Sequence, residues 1–189
     1  MKLLKKIQYN SPVILTFALL SLAILFLGYY TGGYSTRLCF SVYRSSLTDP
    51  FTYIRFFGHV LGHADYSHYI GNMTLLLVLG PPLEERYGSK RLLQTILATA
   101  LVSGLVQFFF FPGTALLGAS GIVFMLIILS SLSGGSRGRI PLTLILVCII
   151  YIGGEIADGL LYADNISQLT HIIGGTCGGV FGLRLRGNR

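Results

Sequence analysis

Residues 171–182 read His-Ile-Ile-Gly-Gly-Thr-Cys-Gly-Gly-Val-Phe-Gly, HIIGGTCGGVFG. Gly174, Gly178 and Gly182 recur every fourth residue, and on a helix that spacing puts all three on one face. With no side chains in the way, a neighbouring helix approaches backbone to backbone, which is how apolar helices associate within a membrane. His171 opens the run, so whichever helix packs on this face runs beside an imidazole. If the neighbour is the apolar stretch that begins Gly118-Ala119-Ser120-Gly121, GASG, an imidazole and a hydroxyl meet.

The composition says what surrounds such a seam. Of 189 residues, 52% are apolar and 11% charged, less than half of the ~25% charged share usual in soluble domains. The chain therefore reads as an all-α membrane protein. No Ser/Pro-rich or acidic linker divides it, so residues 1–189 are expected to form one domain. Most of the 24 glycines lie in or at the ends of apolar runs, as packing positions. Cys39, Cys148 and Cys177 are odd in number and lack CxxC spacing, which supports neither a disulfide framework nor a Cys metal site.

Long apolar runs predict six spans, at 13–31, 66–81, 91–111, 116–133, 140–155 and 168–184. Residues 1–6 with the run from Val13 to Tyr30 have the outline of a signal peptide. That run exceeds the usual ~7–15 residues, however, and no small-x-small cleavage site follows, so it is expected to remain as the first membrane helix. With a cytoplasmic N-terminus, the inner segments hold Lys2, Lys5, Lys6, Arg86, Lys90, Arg91, Arg137, Arg139, Arg184, Arg186 and Arg189, and only Arg37, Arg44 and Arg55 fall outside. This bias predicts both termini inside. It also accounts for the net charge of +7, since the basic residues form no stripe with aromatics that would suit nucleic acid.

The topology brings three polar clusters to one depth, near the outer ends of spans two, four and six. All four histidines, His59, His63, His68 and His171, fall in this layer. A polar group at membrane depth costs up to ~3 kcal/mol on insertion scales, so it needs a partner or a function. Ser120 reads either as a nucleophile activated by a neutral histidine, with helix-start N–H groups for an oxyanion, or as a helix cap flanked by packing glycines. Gly118 and Gly121 would permit close backbone approach. His171 reads as a base or as a structural, hydrogen-bonded imidazole. His68 and Asn72 are i and i+4, on one helix face. A metal site from His59, His63 and His68 competes, although HExxH is lacking and no carboxylate ligand is evident.

Four motifs stand in order: HxxxxHxxxN at His63, His68 and Asn72, GxxxExxxG at Gly80, Glu84 and Gly88, GxSG at Gly118 to Gly121, and HxxGxxxG from His171. Together they resemble the rhomboid family of intramembrane serine proteases, over a core of roughly residues 50–185, and imply a six-helix rhomboid-like bundle whose first helix is 13–31. The resemblance implies a Ser120–His171 dyad without a catalytic Asp. It implies that His68, Asn72 and the Ser120 backbone N–H hold the oxyanion, and that His63 supports structure nearby. Arg55 matches the Arg of a first-loop motif, and Glu84 a structural position. Two positions depart from the family: Ile54 stands where Trp is frequent, and Phe124 where Tyr is frequent. The Phe124 ring keeps its face for stacking on the imidazole but loses a phenolic hydrogen bond.

The implied activity is endopeptidase cleavage in or near transmembrane segments of membrane proteins, with lipid as surroundings and no cofactor or metal. Substrate helices with Gly, Pro or polar residues at their outer ends should unwind most easily, and a small residue before the cut is implied by the resemblance. The alternative is a catalytically inactive relative that binds membrane helices; a transporter would place polar residues at several depths instead of one. A prokaryotic cell membrane, with the active site toward the outer side, is the expected location. The sequence carries no signal for oligomeric state.

Overall fold

The computed structural model describes residues 8–133 and 165–187, with five isolated positions between 142 and 149. Its described residues form helices α1 (Pro12–Tyr30), α2 (Tyr34–Cys39), α3 (Pro50–Gly58), α4 (Tyr66–Tyr87), α5 (Ser89–Phe110), α6 (Ser120–Ser133) and α7 (Asn165–Gly187), and no strand beyond a single bridge between Val42 and Leu116. Among them α1 and α5 are long and apolar enough to cross a membrane by length and composition, and α6 is apolar but shorter. Of the fifth expected span, 140–155, eleven of sixteen residues lie outside the described ones.

α6 is the centre. Every residue from Gly121 to Leu129 is buried, as a helix apolar on all sides must be if it is surrounded by other helices. The glycine seam faces it. A Cβ added at Gly174 would overlap the Gly121 carbonyl, one at Gly178 would stand 2.5 Å from the Met125 carbonyl, and one at Gly182 would stand 2.6 Å from the Leu132 side chain. The contacts advance along both helices together, so α6 and α7 run parallel. Between apolar helices in an apolar solvent, this close approach provides the attraction that water would otherwise supply.

Glu84 ties the opposite end. Its buried carboxylate accepts the N–H groups of Val13 and Ile14 at 3.0 Å each, and the Ser89 hydroxyl at 2.7 Å. It thereby caps the start of α1, whose first N–H groups have no partner within their own helix, and brings the starts of α1 and α5 to the end of α4. The apolar run ends the expected second span at 81, where two consecutive prolines would each remove a helix hydrogen bond. The helix nevertheless continues to Tyr87, with Leu83 and Glu84 buried beyond the prolines. At its other end α4 meets the close of α1, where the Tyr66 N–H donates to the Tyr29 hydroxyl at 3.0 Å, and the Tyr69 hydroxyl donates to the Ala18 carbonyl at 3.1 Å.

The long connection after α1 holds two short helices that the apolar pattern does not reveal. Asp49 caps α3 by accepting the Phe51 N–H at 3.0 Å, with Pro50 in the first turn where its missing N–H costs nothing. Arg55 is buried and organises the loop: its guanidinium pairs with Asp49 and donates to the Tyr43 hydroxyl at 2.7 Å and the Thr52 hydroxyl at 3.2 Å. α3 packs on α5 through Phe56 and Phe108, whose rings meet edge to face at 5.4 Å.

Candidate active site

Ser120 is the first residue of α6 and is half-buried. The Val123 N–H donates to the Ala119 carbonyl at 2.9 Å, closing the first turn, so the N–H groups of Ser120, Gly121 and Ile122 precede the helix ladder and point out of its start. The segment leading to it is held twice. Val42 and Leu116 exchange backbone hydrogen bonds at 2.9 Å, and the Gly118 N–H donates to the His59 carbonyl at 2.9 Å.

Gly118 has φ +122, a conformation that L side chains rarely adopt. A Cβ there would stand 2.8 Å from both Cε1 and Nε2 of His68, and 4.0 Å from Nδ2 of Asn72. Both side chains of the α4 face therefore reach the backbone two residues before Ser120. Asp65 fixes their helix start by accepting the His68 N–H at 2.8 Å. Asn72 is buried and donates one amide N–H to the His68 carbonyl at 3.1 Å, which orients the amide.

His63 is buried beneath this pair. Its Nδ1 lies 3.2 Å from the Leu61 carbonyl, and its ring meets those of His68 and Tyr69 edge to face at 5.1 and 5.5 Å. His59 has its Nδ1 3.1 Å from the Arg55 carbonyl and its Nε2 3.2 Å from the Ser103 hydroxyl. Both lie between α3 and α4. Burial pushes each imidazole down from 6.5 to about 4, assisted at His63 by the neighbouring His68. Burial thus favours the neutral form of both imidazoles. With both ring nitrogens of His59 engaged in the protein, the alternative metal set of His59, His63 and His68 loses a ligand. No group of three or more His, Cys, Asp or Glu suited to a metal ion occurs among the described residues.

His171 lies on α7 one turn before Gly174, and Gly174 touches the backbone of Gly121. The parallel seam thus sets the turn that carries His171 beside the start of α6; its side chain lies outside the described part of the structure. Phe124 faces the same turn, since a Cβ at Gly175 would stand 2.5 Å from its ring. Ser120, Gly118, Gly121, His68, Asn72 and Phe124 are gathered at one end of the bundle, with the His63 ring against that of His68. Glu84 is sixteen residues along α4 from His68, about 24 Å away on helical rise, and takes no part.

Three contributors are not singled out as such by the sequence reading. Asp65 carries a readable signal, an Asp directly before a helix. The His59 carbonyl and the Val42–Leu116 bridge are backbone contacts between distant segments, and no local pattern announces them.

Residues 50–188 match the family model of the rhomboid domain. The chain is 30% identical over 152 residues to "Rhomboid-related protein 2" of Mus musculus, covering 70% of this chain and 50% of that protein. It is 29% identical over 137 residues to "Rhomboid-related protein 1" of Caenorhabditis elegans, covering 68% and 38% respectively. The chain spans about half or less of the length of these curated relatives.

Proposed function

The chain belongs to the rhomboid family of membrane proteins, and from that premise we propose that it is an intramembrane serine endopeptidase that hydrolyses peptide bonds in or near transmembrane segments. In this reading six helices cross the bilayer as one domain, both termini are cytoplasmic, and the site opens away from the cytoplasm.

Ser120 Oγ attacks the substrate carbonyl as His171 takes its proton. The oxyanion accepts hydrogen bonds from the Ser120 backbone N–H and from the His68 and Asn72 side chains. Collapse expels the new amine with a proton from His171, leaving an acyl-enzyme, and water activated by the same imidazole releases it. No metal or cofactor is needed for any step. The transmembrane substrate must unwind locally, because a helix keeps its carbonyls in its own hydrogen bonds.

The observation that supports the reading is the packing of His68 on Gly118, with the Asn72 amide nearby, two residues before a helix that starts with serine. The burial of the central helix adds to it. Ser120 is half-buried at the start of α6, whose residues from Gly121 to Leu129 are buried.

The test is cleavage of a panel of tagged membrane segments by the purified protein in proteoliposomes. Cleavage abolished by Ser120→Ala and by His171→Ala, and weakened by Asn72→Ala, is expected. Cleavage at the native rate by Ser120→Ala would remove the assignment.

A further inference from the structure

Away from the site, a cavity of about 670 Å³ opens between α1 and α5. On α5 it is lined by Leu93, Leu97 and Ala100, and on α1 by Val13, Phe17 and Leu20. Gly58, Val60 and Leu61 of the first connection close its far end. The lining is almost wholly apolar.

Its other end is polar. Lys90 precedes Leu93 by three residues and Leu97 by seven, so it continues the same stripe one turn toward the start of α5, and it is exposed. Across the groove Tyr9 donates to or accepts from Thr16 at 2.9 Å, leaving an exposed aromatic ring with a hydroxyl tip of the kind that favours a membrane interface. Glu84 pins the starts of α1 and α5 together, so Lys90 and Tyr9 belong to the same end. The lining on α5 runs from Leu93 to Ala100, and with the turn that carries Lys90 the stripe covers ten residues, about 15 Å. That is half of the ~30 Å hydrocarbon layer, the depth of one leaflet.

We propose that this groove is a lipid site that takes one acyl chain of an anionic phospholipid, with its phosphate against Lys90. An apolar slot about one leaflet deep, with the turn that carries Lys90 at its mouth, complements an anionic headgroup above one chain. A substrate helix or a second copy of this chain would need a face spanning both leaflets. The inference rests on membrane residence and not on the proteolytic reading, so it holds equally for Ser120→Ala protein.

Native mass spectrometry of the purified full chain tests it, with phosphatidylglycerol and phosphatidylcholine of identical acyl chains added in turn. One phosphatidylglycerol should be retained about fivefold more strongly than phosphatidylcholine, as one lysine near an anionic surface gives. Lys90→Gln should equalise the two lipids, and Leu97→Trp, which fills the groove at a half-exposed position, should lose both. Equal retention of the two lipids by the native chain overturns the proposal, as does an unchanged preference in Lys90→Gln. Loss of a dimer in place of lipid by Leu97→Trp would assign the groove to a second copy and overturn it too. Thermal unfolding of Leu97→Trp checks that it folds, and the mild Lys90→Gln change decides the matter if it does not.

Discussion

The imidazole of His68 rests against the α-carbon of Gly118, so closely that a methyl group built there would stand 2.8 Å from two ring atoms. The glycine is required twice over, by its φ of +122 and by that ring. Gly118→Ala should therefore displace His68 from the start of α6. Loss of a well-placed oxyanion donor costs about 10²–10³ in rate, whereas the backbone strain costs about 1–3 kcal/mol of stability. The expected outcome is a protein that still unfolds cooperatively in detergent but has lost at least about a hundredfold in cleavage rate.

The seam between α6 and α7 predicts opposite effects for two neighbouring glycines. A Cβ at Gly174 overlaps the Gly121 carbonyl, while one at Gly179 meets nothing within 4 Å. Gly174→Ala should destabilise by about 1–3 kcal/mol through overpacking. Gly179→Ala should be neutral or stabilise by up to about 1 kcal/mol through helix propensity. Thermal unfolding of the two variants side by side checks the pair.

Glu84 binds three donors at the end of the bundle remote from Ser120. Glu84→Ala leaves two backbone N–H groups at the buried start of α1 without their acceptor, at about 1–3 kcal/mol for each group so stranded. The unfolding temperature should drop, and the cleavage rate per folded molecule at a permissive temperature should stay near native. A selective loss of rate with stability intact would contradict a purely structural role.

Acid should weaken the fold through His59. Burial holds its pKa at about 4 against 6.5, so the folded chain binds fewer protons than the unfolded chain between those values. Stability from this group is full above pH 6.5, falls as the pH drops toward 4, and changes no further below that. The total is on the order of 3 kcal/mol; His63 contributes in the same direction. Unfolding measured from pH 7.5 to 4 should show the decline, and His59→Gln should make it shallower.

Much of the architecture is legible in the sequence because lipid enforces long apolar runs. The expected 13–31, 91–111 and 168–184 correspond to α1, α5 and α7 within a few residues, and 116–133 contains α6. α6 starts four residues later than its apolar run, because Leu116 pairs with Val42 and Gly118 is bound to His59 before the helix begins at Ser120. α2 and α3 escape a reading that looks for long apolar segments. Asp49-Pro50 is a helix-start signal that could have located α3, whereas nothing local marks α2. At the site, the i, i+4 relation of His68 and Asn72 follows from helical geometry alone. Their contact with Gly118 does not, because it joins α4 to a loop some fifty residues away through packing that no local pattern encodes. The glycine spacing tells that α7 has a close neighbour; only the folded chain tells that α6 is that neighbour and runs parallel to it.

The proposed chemistry needs Ser120 to be a nucleophile made reactive by His171, and covalent labelling reads that reactivity. Purified protein in micelles is treated with a fluorophosphonate probe, and the modified residue is mapped by mass spectrometry. Labelling at Ser120 that disappears in His171→Ala, with the fold of that variant intact by thermal unfolding, is the predicted result. Absence of labelling in the native chain, or labelling of Ser120 unchanged when His171 is removed, would contradict the account.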